Sequence, residues 1–304
     1  MMLSIVIVSW NISKLLSACL ESILQNPPDG DMEIWVVDNA STDDTLEMLR
    51  THFPQVHLVQ NTKNVGFAAA NNQGISQAQG EYILLLNPDP VVLPGALSEL
   101  IKHIENHPET GACGPMLLNP DRSLQKSCYP FPTLSRELWR LFHLDRLHAY
   151  GIYRMEDWPQ DQTRPVDIIQ GACLLLRNQV LNQVGLLDED YFMYTEEVDL
   201  LYRIKQTGAQ VNWVPAAKVI HYGGQSTQQA AAAMFIRLYE SKLVFFRKHY
   251  GLFGAWGYKL VLALTAISRI LASPLALFLS PANRKQQLKI AGNYWSMLVA
   301  LPGL

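Results

Sequence analysis

"YILLLNPDP", residues Tyr82–Pro90, decides the fold. Its opening run is apolar without a polar interruption, the pattern of a strand covered on both faces. It then stops at Asn87, Pro88, Asp89 and Pro90, which leaves a carboxylate wedged between prolines at the strand's carboxyl end. The same rhythm extends on both sides. "LSIVIVSW" from Leu3 is a β-branched run, and "KLLSACLESIL" after it has helical spacing, with Ser13 placed to cap it. "EIWVVD" is a second strand, "NASTDD" a turn and "TLEMLRTHF" a helix; "VHLVQN" is a third strand, with "VGFAAANNQGISQAQ" as its helix. "LPGALSELIKHIENH" follows the fourth. Buried strands alternating with helices predict an α/β fold on a mostly parallel sheet.

Beyond this core, Gly111–Leu118, "VDIIQGACLLLR", "AQVNWVP" and "AKVIHY" read as strands, and "TEEVDLLYRIKQTG" as a helix stopped by Gly208. Residues 119–165 are irregular and rich in Pro, Arg, Trp and Tyr, as a functional loop or small helical insertion would be. From about Met234 the character changes. "MFIRLYESKLVFFRKHYG" interleaves apolar residues at helical spacing with Arg and Lys, and 260–279, "LVLALTAISRILASPLALFL", has the length of a bilayer span. Arg269 and Pro274 inside that stretch favour peripheral or monotopic attachment, with a single span as the alternative.

Charge divides the chain the same way. Residues 231–304 hold nine Lys/Arg and one acid, a net of +8, which leaves −11 elsewhere in a chain whose total is −3. The basic, apolar tail suits an anionic membrane surface, and the acidic remainder suits metal coordination. No nucleic-acid partner is expected. Cys19, Cys113, Cys128 and Cys173 lack metal-ligand spacing, so free thiols in a reducing compartment are predicted. The N-terminal "MMLSIVIVSW" has no basic leader and runs into polar "NISK", which makes it a strand rather than a signal peptide. The expected division is 1–230, with halves meeting near 118, and 231–304.

Ligands of open parallel sheets bind beyond the carboxyl ends of the strands. Here those ends deliver Ser9 to Asn11, Asp38 with Asn39, Asn61 to Gly66, and Asn87 with Asp89. Any one Asx could be a turn cap; four strands sending Asx to one edge point to a nucleotide. Neither a GxGxxG nor a GxxxxGK[ST] glycine cradle is present, so a diphosphate there needs a divalent cation held by carboxylates, Mg²⁺ or Mn²⁺.

In chain order, "SIVIVSWN", "VVDNASTDDT", "NVGFAAANNQGI", "LLLNPDP", "GACLLLR" and "DEDYFMYTEEVDLLYRIKQTG" resemble the motifs of family-2 inverting glycosyltransferases, most closely the bacterial rhamnosyltransferase-like branch, over about Leu3–Tyr222. The resemblance implies a GT-A fold, with a Rossmann-like nucleotide-binding half joined to an acceptor half. It makes Asp89 the last acid of a DxD motif, read here as Asn-Pro-Asp, that holds the metal on the donor diphosphate; His221 matches a further metal ligand. Asp38 and Asn39 fall near the donor base, with the Asn39 carbonyl available to the N3–H of uracil or thymine. Asn64 and Gly66 fall beside the sugar diphosphate. "TEEVD" matches the catalytic acid motif, making Glu197, or its neighbour Glu196, the base. The implied donor is dTDP-rhamnose, or else a UDP-hexose or UDP-N-acetylhexosamine. The implied acceptor is a lipid-linked or cell-surface glycan at the cytoplasmic face of a membrane.

Plainer readings stand beside these. Acids opening a helix are stabilised by its dipole without catalysing anything. Asp199 is expected to hold a loop or Arg203, and Trp139, Tyr150, Tyr153 and Trp158 to form the core of a small insertion rather than a sugar platform. "SWNISK" lacks the glycine-rich basic loop of a sugar-1-phosphate nucleotidyltransferase, and the presence of the acids argues against a non-catalytic scaffold.

Overall fold

The computed structural model describes residues 2–224, 231–279 and 284–304. The chain divides into two compact units, residues 1–131 with 154–229 and residues 132–153 with 230–304. Residues 132–153, expected within an acceptor half of 119–230, instead pack with the C-terminal residues. Their apolar side chains find their burial there, in a cluster containing Leu141, Tyr239, Phe246, Tyr258 and Met297.

The first unit is built on one mixed sheet. Strands β1 (Met2–Ser9), β2 (Asp31–Asp38), β3 (His57–Gln60) and β4 (Tyr82–Leu86) run parallel in the order β3-β2-β1-β4. Helices α1 (Ser13–Gln25), α2 (Thr45–His52) and α3 (Phe67–Ile75) connect them. Leu16, Leu20 and Ile23 of α1 join Ile5 and Ile7 of β1 in the main core, while Val8, Val37 and Ala70 form a cluster with α3. Gly74 of α3 lies so near β1 that a Cβ there would stand 2.5 Å from Val6 Cγ1. Burial on both faces explains why these strands read as continuous apolar runs.

Past β5 (Pro90–Val92) and α4 (Ala96–Asn106), the sheet continues through β6 (Thr110–Leu118). A short pair, β7 (Cys128–Tyr129) and β9 (Ile168–Ile169), lies apart from it, and β8 (Arg164–Pro165) adds to its far side. Strand β10 (Cys173–Arg177) inserts antiparallel between β4 and β6, with Cys173 opposite Leu86. Helices α6 (Asn178–Val184) and α7 (Glu196–Gln206) follow. The two segments expected as separate strands near the end are one strand, β11 (Gln210–His221), irregular between Val214 and Lys218. Its last residue, His221, pairs with Pro90, and that register sets His221 beside Asp89.

The second unit contains α5 (Leu134–Leu141), α8 (Ala231–Leu279) and α9 (Arg284–Ala300). Gly251 breaks α8 with φ 68° and ψ −168°. Phe246 and Tyr258 stack with ring centroids 4.5 Å apart. Twelve positions of straight helix would separate them by about 18 Å, so the chain folds back at Gly251. Residues 233–273 are long and apolar enough, by composition, to cross a membrane, but this fold makes them two arms. Phe253, Trp256, Leu260, Leu264, Ile267 and Leu271 are exposed along the second arm, three or four residues apart. Inside the unit, Glu137 of α5 is buried between Lys242 (2.8 Å) and Arg140 (3.0 Å), and Tyr258 donates to it at 3.4 Å.

Candidate active site

The strand ends come together as the sequence suggested. Ser9 and Asp38 face each other as the last residues of β1 and β2, and the Asn39 N–H donates to the Ser9 carbonyl at 2.8 Å. Asn11 takes a left-handed φ of 51° and accepts through Oδ1 from the Thr42 amide at 2.7 Å, knitting this edge to the turn after β2. The same turn caps α1. Asp43 accepts the Ser13 N–H at 3.1 Å, so Ser13 is the first helical residue rather than the cap.

Asp38 is completely buried; its Oδ2 accepts from the Ser41 N–H at 3.2 Å, and Oδ1 has no partner among the described residues. The Ser9 hydroxyl is likewise buried without one. Such groups are costly unless a ligand completes them. Asn39 is differently engaged from what its motif position suggested. Its Oδ1 accepts from Asn61 Nδ2 (3.2 Å) and the Val65 N–H (3.0 Å), and its Nδ2 donates to Asn64 Oδ1 and the Gly66 carbonyl. With both lone pairs occupied, Asn39 shapes the 61–66 loop, and Asp38 Oδ1 and the Ser9 hydroxyl are the groups left open at this edge among the described residues.

Gly66 is likewise turned to protein. Its φ of +92° is unfavourable to a side chain, and a Cβ would lie 2.7 Å from the Phe192 carbonyl. That carbonyl accepts the Phe67 N–H at 2.7 Å, while Asn72 Nδ2 donates to the Leu187 carbonyl and to Glu189. Helix α3 thus carries the segment before α7. Tyr194 and Thr195 in that segment hold successive left-handed φ values of 70° and 72°, strain of the kind found at functional sites.

Glu196 and Glu197 open α7 directly after this strained pair. Glu196 is buried, and Glu197 is half-buried against Gly171, whose added Cβ would touch Glu197 Cβ at 3.4 Å. The next residue, Ala172, accepts the Asn87 N–H at 3.0 Å, which ties the end of β4 to the same neighbourhood. Burial and then the charge of Glu197 push the Glu196 carboxyl well above the usual range. Burial also raises Glu197, but backbone N–H groups of Glu197, Gly171, Val198 and Thr195 oppose the rise. Both carboxyls are therefore biased toward the protonated form, and Glu197 has more backbone donors favouring its charge. Asp199 does hold Arg203, at 2.8 Å, whose guanidinium also donates to the Val184 and Leu186 carbonyls.

Asp89 and His221 are 5% and 2% exposed, with His221 Nε2 3.4 Å from Asp89 Oδ1. Nε2 makes no hydrogen bond among the described residues. Among the described residues no group of three His, Cys, Asp or Glu could enclose a metal ion. The buried pair with an unused nitrogen lone pair does fit a divalent cation that completes its coordination on substrate oxygens. Gln125, which no sequence signal marked, contacts His221 Nδ1 at 2.7 Å. The aromatic residues of the irregular region are used by the protein. Trp158 packs on Trp213 under Arg164, and Trp139 packs on Tyr150 with its indole N–H on the His148 carbonyl.

Residues 4–157 match the family model "Glycosyl transferase family 2". An N-acetylglucosaminyl-diphospho-decaprenol L-rhamnosyltransferase of Mycobacterium tuberculosis is 31% identical over 70% of this chain and 74% of its own. The Escherichia coli K12 rhamnosyltransferase WbbL is 27% identical over 73% and 83%. Among solved structures, a mannosyltransferase from Pyrobaculum calidifontis, in complex with GDP-Man and Mn²⁺, superposes with a TM-score of 0.61 at 19% identity, covering 99% of this chain and 85% of that one. The chain therefore belongs to glycosyl transferase family 2, within which it resembles the rhamnosyltransferase-like branch, and it is a GT-A glycosyltransferase.

Proposed function

We propose that the protein transfers L-rhamnose from dTDP-rhamnose to a lipid-linked or cell-surface glycan intermediate at the cytoplasmic face of a membrane. The observation that carries the sugar is that two rhamnosyltransferases are relatives over about seven-tenths of the chain, one of them named for a diphospho-decaprenol acceptor. The chemistry is supported by the site itself. Asp38 Oδ1, an open acceptor at the base end, takes the N3–H of the thymine. Asp89 and His221 are the residues that would hold Mg²⁺ or Mn²⁺, which would supply positive charge to the leaving diphosphate.

Glu197 is the base. It takes the proton of the acceptor hydroxyl as that oxygen bonds to the anomeric carbon, whose bond to the diphosphate oxygen breaks with its electron pair leaving on dTDP. One such displacement inverts the anomeric centre and needs no covalent enzyme intermediate. Glu196 keeps its proton, so the base beside it faces no second negative charge. The exposed apolar stripe on α8, within a region of net charge +8, is the surface that meets the lipid.

Calorimetric titration of dTDP, UDP and GDP, with and without Mn²⁺, tests this reading in wild type and Asp89→Ala. Mn²⁺-dependent binding, tightest for dTDP and lost in Asp89→Ala, is expected. Preference for UDP would move the donor to a UDP-hexose or UDP-N-acetylhexosamine, and binding of none of the three would overturn the site.

A further inference from the structure

We propose that Gln125 is a positioning residue that locks His221 in the tautomer protonated at Nδ1, so that Nε2 presents a bare lone pair beside Asp89. The proposal rests on the reading of Asp89 and His221 as the metal-holding pair. It concerns a residue 96 positions away from His221, in the segment leaving β6.

The lock follows from which atoms can only accept. Gln125 Nε2 lies 3.1 Å from the His221 backbone carbonyl and 3.0 Å from Asn119 Oδ1. Asn119 is itself oriented, because its Nδ2 donates to the Leu124 carbonyl (3.4 Å) and Ser123 Oγ (2.9 Å). The Gln125 amide therefore has one allowed orientation: its nitrogen faces two acceptor oxygens, and flipping it would set oxygen against oxygen. Its Oε1 then lies 2.7 Å from His221 Nδ1, and since an amide oxygen only accepts, Nδ1 must carry the hydrogen. The Gln125 N–H donates to the Leu117 carbonyl at 2.9 Å, fixing the backbone behind the amide.

A neutral imidazole protonated at Nδ1 has its lone pair on Nε2, and that nitrogen is the one left without a hydrogen bond among the described residues. Two buried acceptors, Nε2 and Asp89 Oδ1, thus face each other across 3.4 Å. Without Gln125 the nearest acceptor for the imidazole proton would be Asp89. The proton would move to Nε2, the two side chains would satisfy each other, and neither would offer its electrons to a cation. Gln125 prevents that closure from outside the pair, as partners behind metal-ligating histidines do generally.

The test compares Gln125→Met, an unbranched side chain of similar length without the acceptor, with Gln125→Glu, which keeps an acceptor for Nδ1–H but loses the donor to the His221 carbonyl and Asn119. Long-range ¹H–¹⁵N spectra of the metal-free protein report the tautomer, with the His221 signal assigned as the one absent from His221→Gln. Mn²⁺ affinity is read separately by paramagnetic resonance titration in the presence of dTDP. Wild type and Gln125→Glu are expected to show Nδ1–H, and Gln125→Met to show Nε2–H. Mn²⁺ affinity is expected to fall about tenfold or more in Gln125→Met and to stay within about threefold in Gln125→Glu. Retention of Nδ1–H in Gln125→Met overturns the lock. Equal loss of affinity in both variants makes Gln125 a loop anchor and also overturns it. If His221→Gln leaves Mn²⁺ binding intact, the metal reading of the pair fails, and the tautomer signal alone judges the lock.

Discussion

Two adjacent glutamates at the start of α7 have buried carboxyls and differ in what acts on them: burial and the charge of Glu197 raise Glu196, while backbone N–H groups, those of Gly171, Thr195 and Val198 among them, oppose the rise that burial gives Glu197. Glutamine imitates a protonated carboxyl but cannot take a proton. Glu197→Gln is therefore expected to lower kcat by about 10²–10⁴ with little change in the KM for the donor, and Glu196→Gln to leave kcat nearly unchanged. Because burial raises the Glu197 carboxyl, the acid limb of the pH–rate profile should lie above the ordinary carboxylate range, and Glu196→Gln should leave it in place. The stability effect has the opposite bearing. A carboxyl raised in the folded state stabilises fully below its unfolded pKa, and that contribution is lost as pH rises through the folded value. Glu196→Gln should therefore gain Tm over wild type as pH rises from 5 to 8, which calorimetry at several pH values reads directly. These acids, like Asp89 and His221, were legible as motif positions. Gln125 was not, because its part depends on an amide orientation set by the His221 backbone carbonyl and the Asn119 side-chain oxygen. Nor was the use of the Asn39 carbonyl, whose partners Asn61 and Val65 lie 22 and 26 positions on.

At the level of elements, the parallel βα core was legible because strands buried on both faces leave unbroken apolar runs. Direction leaves no such mark. The antiparallel insertion of β10 between β4 and β6, which brings Gly171 and Ala172 to the end of β4, could not be read from "GACLLLR". The same holds for the destination of α5, a helix too short to reveal its partners in its own pattern. Its Glu137 would be raised by burial, but Lys242 and Arg140 beside it more than offset this and hold the carboxyl below the usual range. Removing one member of a buried ion pair strands the other. Glu137→Ala is expected to cost about 3–5 kcal/mol, because Lys242 is left buried without its anion. A paired Glu137→Ala/Lys242→Met variant should recover part of that loss in a denaturant titration, and equal stability of the two variants would show that no pair energy is at stake.

Across the whole molecule the charge is split, with −11 on residues 1–230 and +8 on residues 231–304. A membrane with anionic headgroups attracts the second set and repels the first. The exposed side chains Phe253, Trp256, Leu260, Leu264, Ile267 and Leu271 repeat along one arm of α8, and Lys259 stacks on Trp256 at 5.3 Å from the ring centroid. Attachment through such a face combines two terms that salt separates. Screening shortens the reach of the lysine and arginine charges from about 10 Å at 0.1 M salt to about 3 Å at 1 M, while burial of Phe and Trp in the acyl region persists. Flotation with vesicles containing phosphatidylglycerol should therefore recover the protein at low salt and only part of it at 1 M. The double variant Phe253→Ser/Trp256→Ser should float weakly at low salt and not at all at high salt, while its Mn²⁺-dependent dTDP binding, made by residues 9–221, stays as in wild type. Flotation of the double variant equal to wild type at both salts would mean that these rings do not enter the bilayer. Complete resistance of the wild type to 1 M salt would instead favour insertion by the apolar arm alone, with the basic residues contributing little.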